Sequence, residues 1–303
     1  MNRLVLIDTF NFFHRSFHAF PMELTTPGGC SINAVYGFAS MLFALTKELT
    51  PSHLAAAMES KEKLFREVEF PEYKATRIPM PPEEQKAFDA QLPLLDEFLK
   101  VARIKRVEVG GFEADDVIGT LAEKFSGRIE VLAASNDRDM MQLIGGNVRF
   151  YLPAVGKQNA KLYGEKEFFE GYGFKPPKLV DYKALRGDPS DNIPGVRGIG
   201  EKTAAELVKK YGTVSEIYNH LSDLNSSVAQ KLTSDHVHAD LSYKLAKIVT
   251  DVPVDVSLED LRFDGFERPE VQTLFEKWGF KSLLRKISEE QKEKEEESQM
   301  KLI

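Results

Sequence analysis

A single cysteine, Cys30, stands in 303 residues. No disulfide can therefore form within the chain, and a reducing cytoplasm suits it. Long apolar runs are missing too. None approaches the ~20 residues that a membrane-spanning helix needs. The chain also has no excess of positive charge: 40 Lys and Arg face 47 Asp and Glu, a net charge of −7. That speaks against a simple electrostatic binder of nucleic acid, unless bound cations reverse the sign locally. The opening "MNRLVLIDTF" places one Arg and then an acid where a signal peptide would be apolar, so it does not read as one. There is no internal repeat. The only tryptophan, Trp278, is expected in packing.

What remains is an ordinary globular composition, 42% hydrophobic and 29% charged, long enough for one large domain or two moderate ones. Short apolar runs rich in β-branched residues occur at "RLVLID" (3–8), "HLAAAME" (53–59), "RIEVLAASND" (128–137) and, more weakly, "NVRFYLP" (147–153). Apolar spacing near 3.6 fills 33–48, 83–101 and 115–125 between them. Strands alternating with helices predict an α/β fold with a mostly parallel central sheet flanked by helices. Beyond about residue 160 no convincing strand is visible. Helices are expected at 176–186, 201–211, 214–221, 236–249 and 268–288, followed by a charge-rich tail, 288–303, as an exposed helix or a disordered linker.

The acids are placed unusually. Asp8 and Glu59 end the first two strands, Asp137 and Asp139 follow "VLAASN", and Glu113, Asp115 and Asp116 crowd into "GFEADD". Ligands of parallel sheets bind beyond the carboxyl ends of strands. Acids near a helix start suit its dipole, but three in four positions repel one another. With Asp188 and Asp191 of "RGDPSDNIPG" the set reaches nine. Such crowding drives carboxylates toward protonation unless cations neutralise them. Oxygen donors without Cys or His suit Mg²⁺ or Mn²⁺ rather than zinc. Two such ions about 4 Å apart form the usual clamp for displacement at phosphorus.

Two further stretches point to nucleic acid. In "GVRGIGEKTAAELVKKYG" (195–212), Gly195, Gly198 and Gly200 allow a tight turn between helices. Lys202 and Thr203 sit where a phosphate would meet the next helix start. This reads as a helix–hairpin–helix grip on a DNA backbone, the alternative being a plain αα turn. In "KEKLFREVEFPEYKATRIPMPPEEQ" (61–85), Lys61, Lys63, Arg66, Lys74 and Arg77 interleave with Phe65, Phe70 and Tyr73, a pattern suited to single-stranded DNA. Glu62, Glu67, Glu69 and Glu72 nearly balance that charge, so a solvated surface helix fits as well.

In combination and order, "LIDTFNFFHRSFHAF", "INAVYGFASML", "FREVEFPEYKATR", "GFEADDVIGTLA", "NDRDMMQL" and "GDPSDNIPGVRGIGEKTA" resemble the 5′ nuclease, or flap endonuclease, family, and most of all the 5′–3′ exonuclease domains of bacterial polymerases I. The likeness runs from about residue 4 to 288. It implies a PIN-like metal-dependent nuclease that hydrolyses phosphodiester bonds at 5′ ends and 5′ flaps of duplex DNA in replication and repair. The implied domains are a core at 1–160 with a helical arch at about 60–103, a helical DNA-binding region at 161–287 with the helix–hairpin–helix at about 186–211, and the tail. By position, Asp8, Glu113, Asp115 and Asp116 resemble a first metal group, and Asp137, Asp139, Asp188 and Asp191 a second, for Mg²⁺ with Mn²⁺ as substitute. Lys74 and Arg77 resemble the pair that approaches the scissile phosphate, with Asp115 and Asp137 the other catalytic residues. Expected DNA contacts are Arg15, Arg66, Tyr73, Lys74, Arg77, Arg197, Gly198, Gly200, Lys202 and Thr203, with K⁺ at the hairpin. Fusion to, or action with, a DNA polymerase is also implied. Glu59 stands where the family has Asp. One methylene longer, it is expected to hold metal-bound water rather than the ion. Thr9 and Asn136 replace glycines. No core carboxylate is missing, which disfavours a silent DNA-binding module. The hairpin disfavours a phosphatase or single-strand RNase, since a small substrate needs no duplex grip.

Overall fold

The computed structural model describes residues 2–154 and 158–300. In chain order the elements are β1 (Arg3–Asp8), α1 (Thr9–Ala19), α2 (Asn33–Leu49), β2 (His53–Ala57), α3 (Phe65–Glu69), α4 (Pro82–Asp89), α5 (Leu92–Val101), β3 (Lys105–Val107), α6 (Ala114–Phe125), β4 (Glu130–Ala134), β5 (Val148–Leu152), β6 (Lys161–Tyr163), α7 (Glu165–Tyr172), α8 (Leu179–Arg186), α9 (Glu201–Tyr211), α10 (Val214–Asn219), α11 (Ser226–Ser234), α12 (His236–Ala246), α13 (Pro269–Trp278) and α14 (Lys281–Met300). The strands form one six-stranded sheet in the order β3-β2-β1-β4-β5-β6. β4 and β5 pair in parallel, with Val131 opposite Val148, whereas β6 runs antiparallel to β5. Leu4 to Ile7 of β1 and Val131 to Ala134 of β4 are wholly buried. That two-sided burial is why these strands read as unbroken apolar runs rather than alternating ones.

Several predicted boundaries move for local reasons. The helix expected over 83–101 is two helices. Pro93 supplies no N–H early in α5, and the Gln91 side chain at the junction accepts from Ala34 N (2.9 Å) and donates to Asn33 Oδ1 (2.8 Å). The helix expected over 268–288 breaks at Gly279, whose φ of 76° ends α13. β6 lies just beyond the point after which no strand was expected. It has three residues and no apolar run, so it leaves no mark in the sequence. α14 continues through the charge-rich stretch to Met300, and 301–303 lie outside the described residues. Among the described residues no helix is long and apolar enough to cross a membrane.

The chain gathers into two compact units. One comprises Met1–Ala56, Met80–Val107 and Asp255–Ile303. Its core is aromatic: Phe43 stacks on Phe266 (centroids 4.3 Å, 21°) and Phe98 on Phe275 (5.7 Å, 28°). Trp278 is buried here, as expected. The other comprises Ala57–Pro79 and Glu108–Val254. It packs α8 against α9 and α12, and closes Tyr73, Val180, Ile193 and Leu245 into one apolar cluster.

Between α8 and α9 the backbone doubles back at close range. Gly195 has φ 64°, and a Cβ there would lie 2.3 Å from Gly187 N and 2.6 Å from Arg186 C. Its N–H donates to Ser242 Oγ (2.9 Å). Backbone cannot yield as a side chain can. Gly195→Ala should therefore cost at least about 2 kcal/mol, seen as a Tm lowered by several degrees in thermal unfolding. Gly127→Ala, where nothing lies within 4 Å of the added carbon, should leave Tm unchanged. Equal Tm for both variants would refute this reading of the turn.

Candidate metal and nucleic-acid site

In the second unit five acids, Glu113, Asp116, Asp139, Asp188 and Asp191, lie in two clusters, each against a built-in cation or hydroxyl. Glu113 ends the loop before α6 and Asp116 lies in its first turn. Glu113 N donates to Asp116 Oδ2 (3.2 Å), so the acids close the helix start on themselves. Arg66, from α3, lies between them. Its Nη1 donates to Glu113 Oε2 (2.7 Å) and Asp116 Oδ2 (2.6 Å), and its Nη2 to Asp116 Oδ1 (2.8 Å). Lys74 Nζ contacts Glu113 Oε1. The Tyr73 hydroxyl is 3.1 Å from Glu113 Oε2 and 3.3 Å from Asp191 Oδ2, so its one proton can serve either carboxylate.

A turn holds Lys74 in place. Its φ is 58°, a left-handed conformation that costs an L-residue energy and persists only where the surroundings impose it. Lys74 N donates to Asp191 O (2.9 Å), Asn192 Nδ2 to Glu72 O (2.7 Å), and Arg77 Nη2 to Asp191 Oδ1 (2.6 Å). "EYKATR" is thus fastened to "DPSDN", more than a hundred residues away in sequence. Glu59 lies next to β2, partly buried. Burial pushes its carboxyl up, the positive charges of Lys74 and Arg77 pull it down, and the net shift is upward.

A second cluster forms after β4. Asp137 Oδ1 accepts from Asp139 N (2.9 Å). Lys183 Nζ, on α8, contacts Asp139 Oδ1 and lies 2.5 Å from Asp188 Oδ2. Asp188 Oδ1 also accepts from Ser190 N (2.9 Å) and Ser190 Oγ (2.6 Å). Burial and the charge of Asp137 push the Asp139 carboxyl up to about 7, against the pull of Lys183. At Asp188, burial pushes upward but Lys183 and Ser190 outweigh it and hold the carboxyl below its ordinary value. A cleft of about 280 Å³ opens here, lined by Asp139, Lys183 and Asp188 together with Arg138, Tyr172 and Arg186.

The donors are all oxygens, which fits a hard divalent cation. Among the described residues no three acids stand close enough to hold an ion as they are placed. Lys74, Lys183 and Arg66 stand among them, supplying the positive charge such crowding requires.

Three sequence expectations meet a different environment. Arg66 is turned inward: it is 2% exposed and its guanidinium is committed to carboxylates and backbone. Asp116 is wholly buried, whereas Asp115 one residue earlier is partly exposed. Tyr73 is turned inward, 6% exposed. In the first unit Asp8 ends β1 and caps α1, accepting from Asn11 N (3.2 Å). Thr9 is buried beside it and Arg15 is partly exposed. In the turn before α9, Arg197, Gly198 and Gly200 are exposed, as is Lys202 in the first turn of α9, while Thr203 is partly so. Arg197 N donates to Asp235 Oδ2 (2.6 Å) and Lys231 Nζ to Gly198 O (3.1 Å), which fixes the turn from α11 and its end. Lys183 is not among the residues that the sequence motifs point to. Its signal was a lysine amid Tyr182, Ala184 and Leu185, all buried, five residues before Asp188.

With this geometry in hand, comparison with known proteins is specific. A model of the 5′-3′ exonuclease N-terminal, resolvase-like domain matches residues 3–173, and one of the 5′-3′ exonuclease C-terminal SAM fold matches 174–269. A 5′-3′ exonuclease of Aquifex aeolicus is 37% identical over 95% of this chain and 96% of its own length. DNA polymerase I of Bacillus caldotenax is 39% identical over 97% of this chain, which spans only 33% of that protein. In fold, the chain is similar to a bacteriophage T5 flap endonuclease in complex with DNA and metal ions (TM-score 0.69, 20% identity, 82% of this chain and 90% of that one). It is also similar to the catalytic core of Rad2 in complex with DNA (TM-score 0.58, 14% identity, 91% and 88%). The acidic strand ends, the αα turn and both matched domains agree: the chain belongs to the 5′-3′ exonuclease family.

Proposed function

We propose that the chain is a structure-specific 5′ nuclease that hydrolyses phosphodiester bonds at 5′ ends and 5′ flaps of duplex DNA, serving replication and repair in the cytoplasm. The observation that carries the reading is the pair of acid clusters, Glu113 with Lys74 and Asp139 with Asp188 about Lys183, in a chain of this family. Glu113, Asp115, Asp137, Asp139, Asp188 and Asp191 are the residues that would hold Mg²⁺, or Mn²⁺ in its place. When bound, two such ions activate water and neutralise charge growing on the phosphate.

The chain's own groups do the rest. Lys74 and Arg77, fixed by the turn at 72–77, place positive charge where the scissile phosphate would lie. That charge counts most as the phosphate oxygens become more negative. The Tyr73 hydroxyl keeps Glu113 and Asp191 in register. The turn at 195–203 holds duplex phosphate through backbone N–H groups and Lys202, with K⁺ as a candidate ion there. Glu59 orients water. Since the chain spans a third of the polymerase I relatives, a polymerase, fused or separate, is the natural partner for filling the gap that cleavage leaves.

A labelled 5′-flap duplex tests this directly. Cleavage should appear with Mg²⁺ and vanish in EDTA, and Asp137→Ala should cost several orders of magnitude in rate while binding in Ca²⁺ persists. Undiminished cutting in chelator would sink the two-ion reading. For Lys74→Ala, the single-turnover rate on bound flap should fall far more than affinity, because its charge acts in the transition state. A loss of affinity alone would make Lys74 a tether. Lys202→Ala should weaken duplex binding and make its salt dependence shallower by about one unit of slope, with cleavage at saturation nearly unchanged. An unaltered slope would reduce 195–203 to a plain turn.

A further inference from the structure

Arg66 is fully used as a hydrogen-bond donor. A guanidinium has five N–H donors in a fixed planar fork, and here all five have acceptors. Nε donates to Leu245 O (2.9 Å), Nη1 to Glu113 Oε2 and Asp116 Oδ2, and Nη2 to Asp116 Oδ1 and Lys247 O (2.8 Å). The acceptors belong to two places: the acidic start of α6 and the chain leaving α12.

Asp116 is equally occupied. Oδ1 accepts from Arg66 Nη2 and from Val249 N (2.8 Å), and Oδ2 from Arg66 Nη1 and Glu113 N. A carboxylate offers about four lone-pair sites. All four are taken, and the residue is wholly buried. A metal ion could reach it only by breaking one of these bonds. Glu113 differs. Among the described residues its Oε1 meets only the Lys74 ammonium and, at 3.5 Å, the Tyr73 hydroxyl, so a movement of the Lys74 side chain leaves it with one weak partner.

The same segment is held by other side chains. Gln142 bonds Ala246 O (3.1 Å) and Ile248 N (3.0 Å), and Thr120 Oγ1 accepts from Val252 N (3.1 Å). At Gly119 a Cβ would lie 2.6 Å from Ile248 Cγ2. Residues 245–252 therefore lie tight on α6, and Arg66 with Asp116 is the charged centre of that seam.

Resting on the metal-dependent reading above, we propose that Arg66 is a positioning residue whose fork fixes the Glu113 carboxylate for a divalent ion, and that Asp116 is the anchor of Arg66 rather than a metal ligand. Packing alone would ask only for a residue of similar size. Holding Glu113 at one angle asks for a planar fork, which lysine's point charge cannot supply.

The experiment reads metal binding apart from turnover. Mn²⁺ affinity by calorimetry should fall roughly ten- to a hundredfold in Arg66→Lys, the scale at which residues behind metal ligands act. Arg66→Met leaves two buried carboxylates facing each other and should lower Tm. Adding Asp116→Leu removes that conflict and should restore much of the Tm while leaving Mn²⁺ affinity low. Terbium luminescence decay in H₂O and D₂O counts metal-bound waters, and Asp116→Asn should keep the wild-type count. Three results would each overturn the proposal: wild-type affinity in Arg66→Lys, affinity returning together with Tm in the double variant, or one more bound water in Asp116→Asn. If Arg66→Met does not fold, the lysine and asparagine variants still decide. If the wild-type protein itself binds neither ion, the metal reading fails and takes this proposal with it, whereas metal-dependent flap cleavage with any of the three overturning results fails this proposal alone.

Discussion

Crowded negative charge is the constraint on which the second unit depends. Asp137, Asp139, Asp188, Asp191, Glu113 and Asp116 lie at or near the ends of a buried strand and two helices, where like charges drive one another toward protonation. The chain answers with three inward-turned cations. Lys183 stands between Asp139 and Asp188, Lys74 against Glu113, and Arg66 between Glu113 and Asp116. Burial alone would lower the pKa of each cation. The neighbouring carboxylates outweigh burial, and all three are held above their ordinary pKa. Removing one partner of such a buried arrangement typically costs about 3–5 kcal/mol, so the cations are as much a part of the site as the acids.

Much of the surrounding structure follows from keeping these groups in place. The turn at Lys74 accepts a left-handed backbone because Asp191 O and Asn192 fasten it from the other side. Gly187 and Gly195 let the chain fold back tightly enough to place Asp188 and Asp191 beside that turn. The segment after α12 has its backbone N–H and C=O groups satisfied by Arg66, Asp116, Gln142 and Thr120 rather than by a regular ladder. Irregular chain is admitted to the interior only where side chains complete its hydrogen bonding.

The division between legible and illegible residues follows interaction range. Strands β1, β2, β4 and β5 and helices α2, α6 and α9 could be read because their burial imposes apolar runs or a 3.6-residue period on the sequence itself. The acids at strand ends could be read because their positions relative to those runs are local facts. Arg66 and Tyr73 fit a DNA-facing or solvated helix as well as a buried one, because nothing in "LFREVEFPEYK" says which way a side chain turns. Their partners, Glu113, Asp116 and Asp191, are 40 to 118 residues away.

The sequence by itself therefore determined the α/β class, the acidic strand ends, the all-oxygen donor set and the glycine turn before α9, since each rests on composition, period or spacing within a short window. Only the tertiary structure decided which cation serves which acid. It set Lys183 between Asp139 and Asp188, turned Arg66 inward to fill its five donors, closed Asp116 off, and set Lys74 and Tyr73 against Glu113. Those choices depend on distances between segments brought together by folding, and no local pattern encodes such distances.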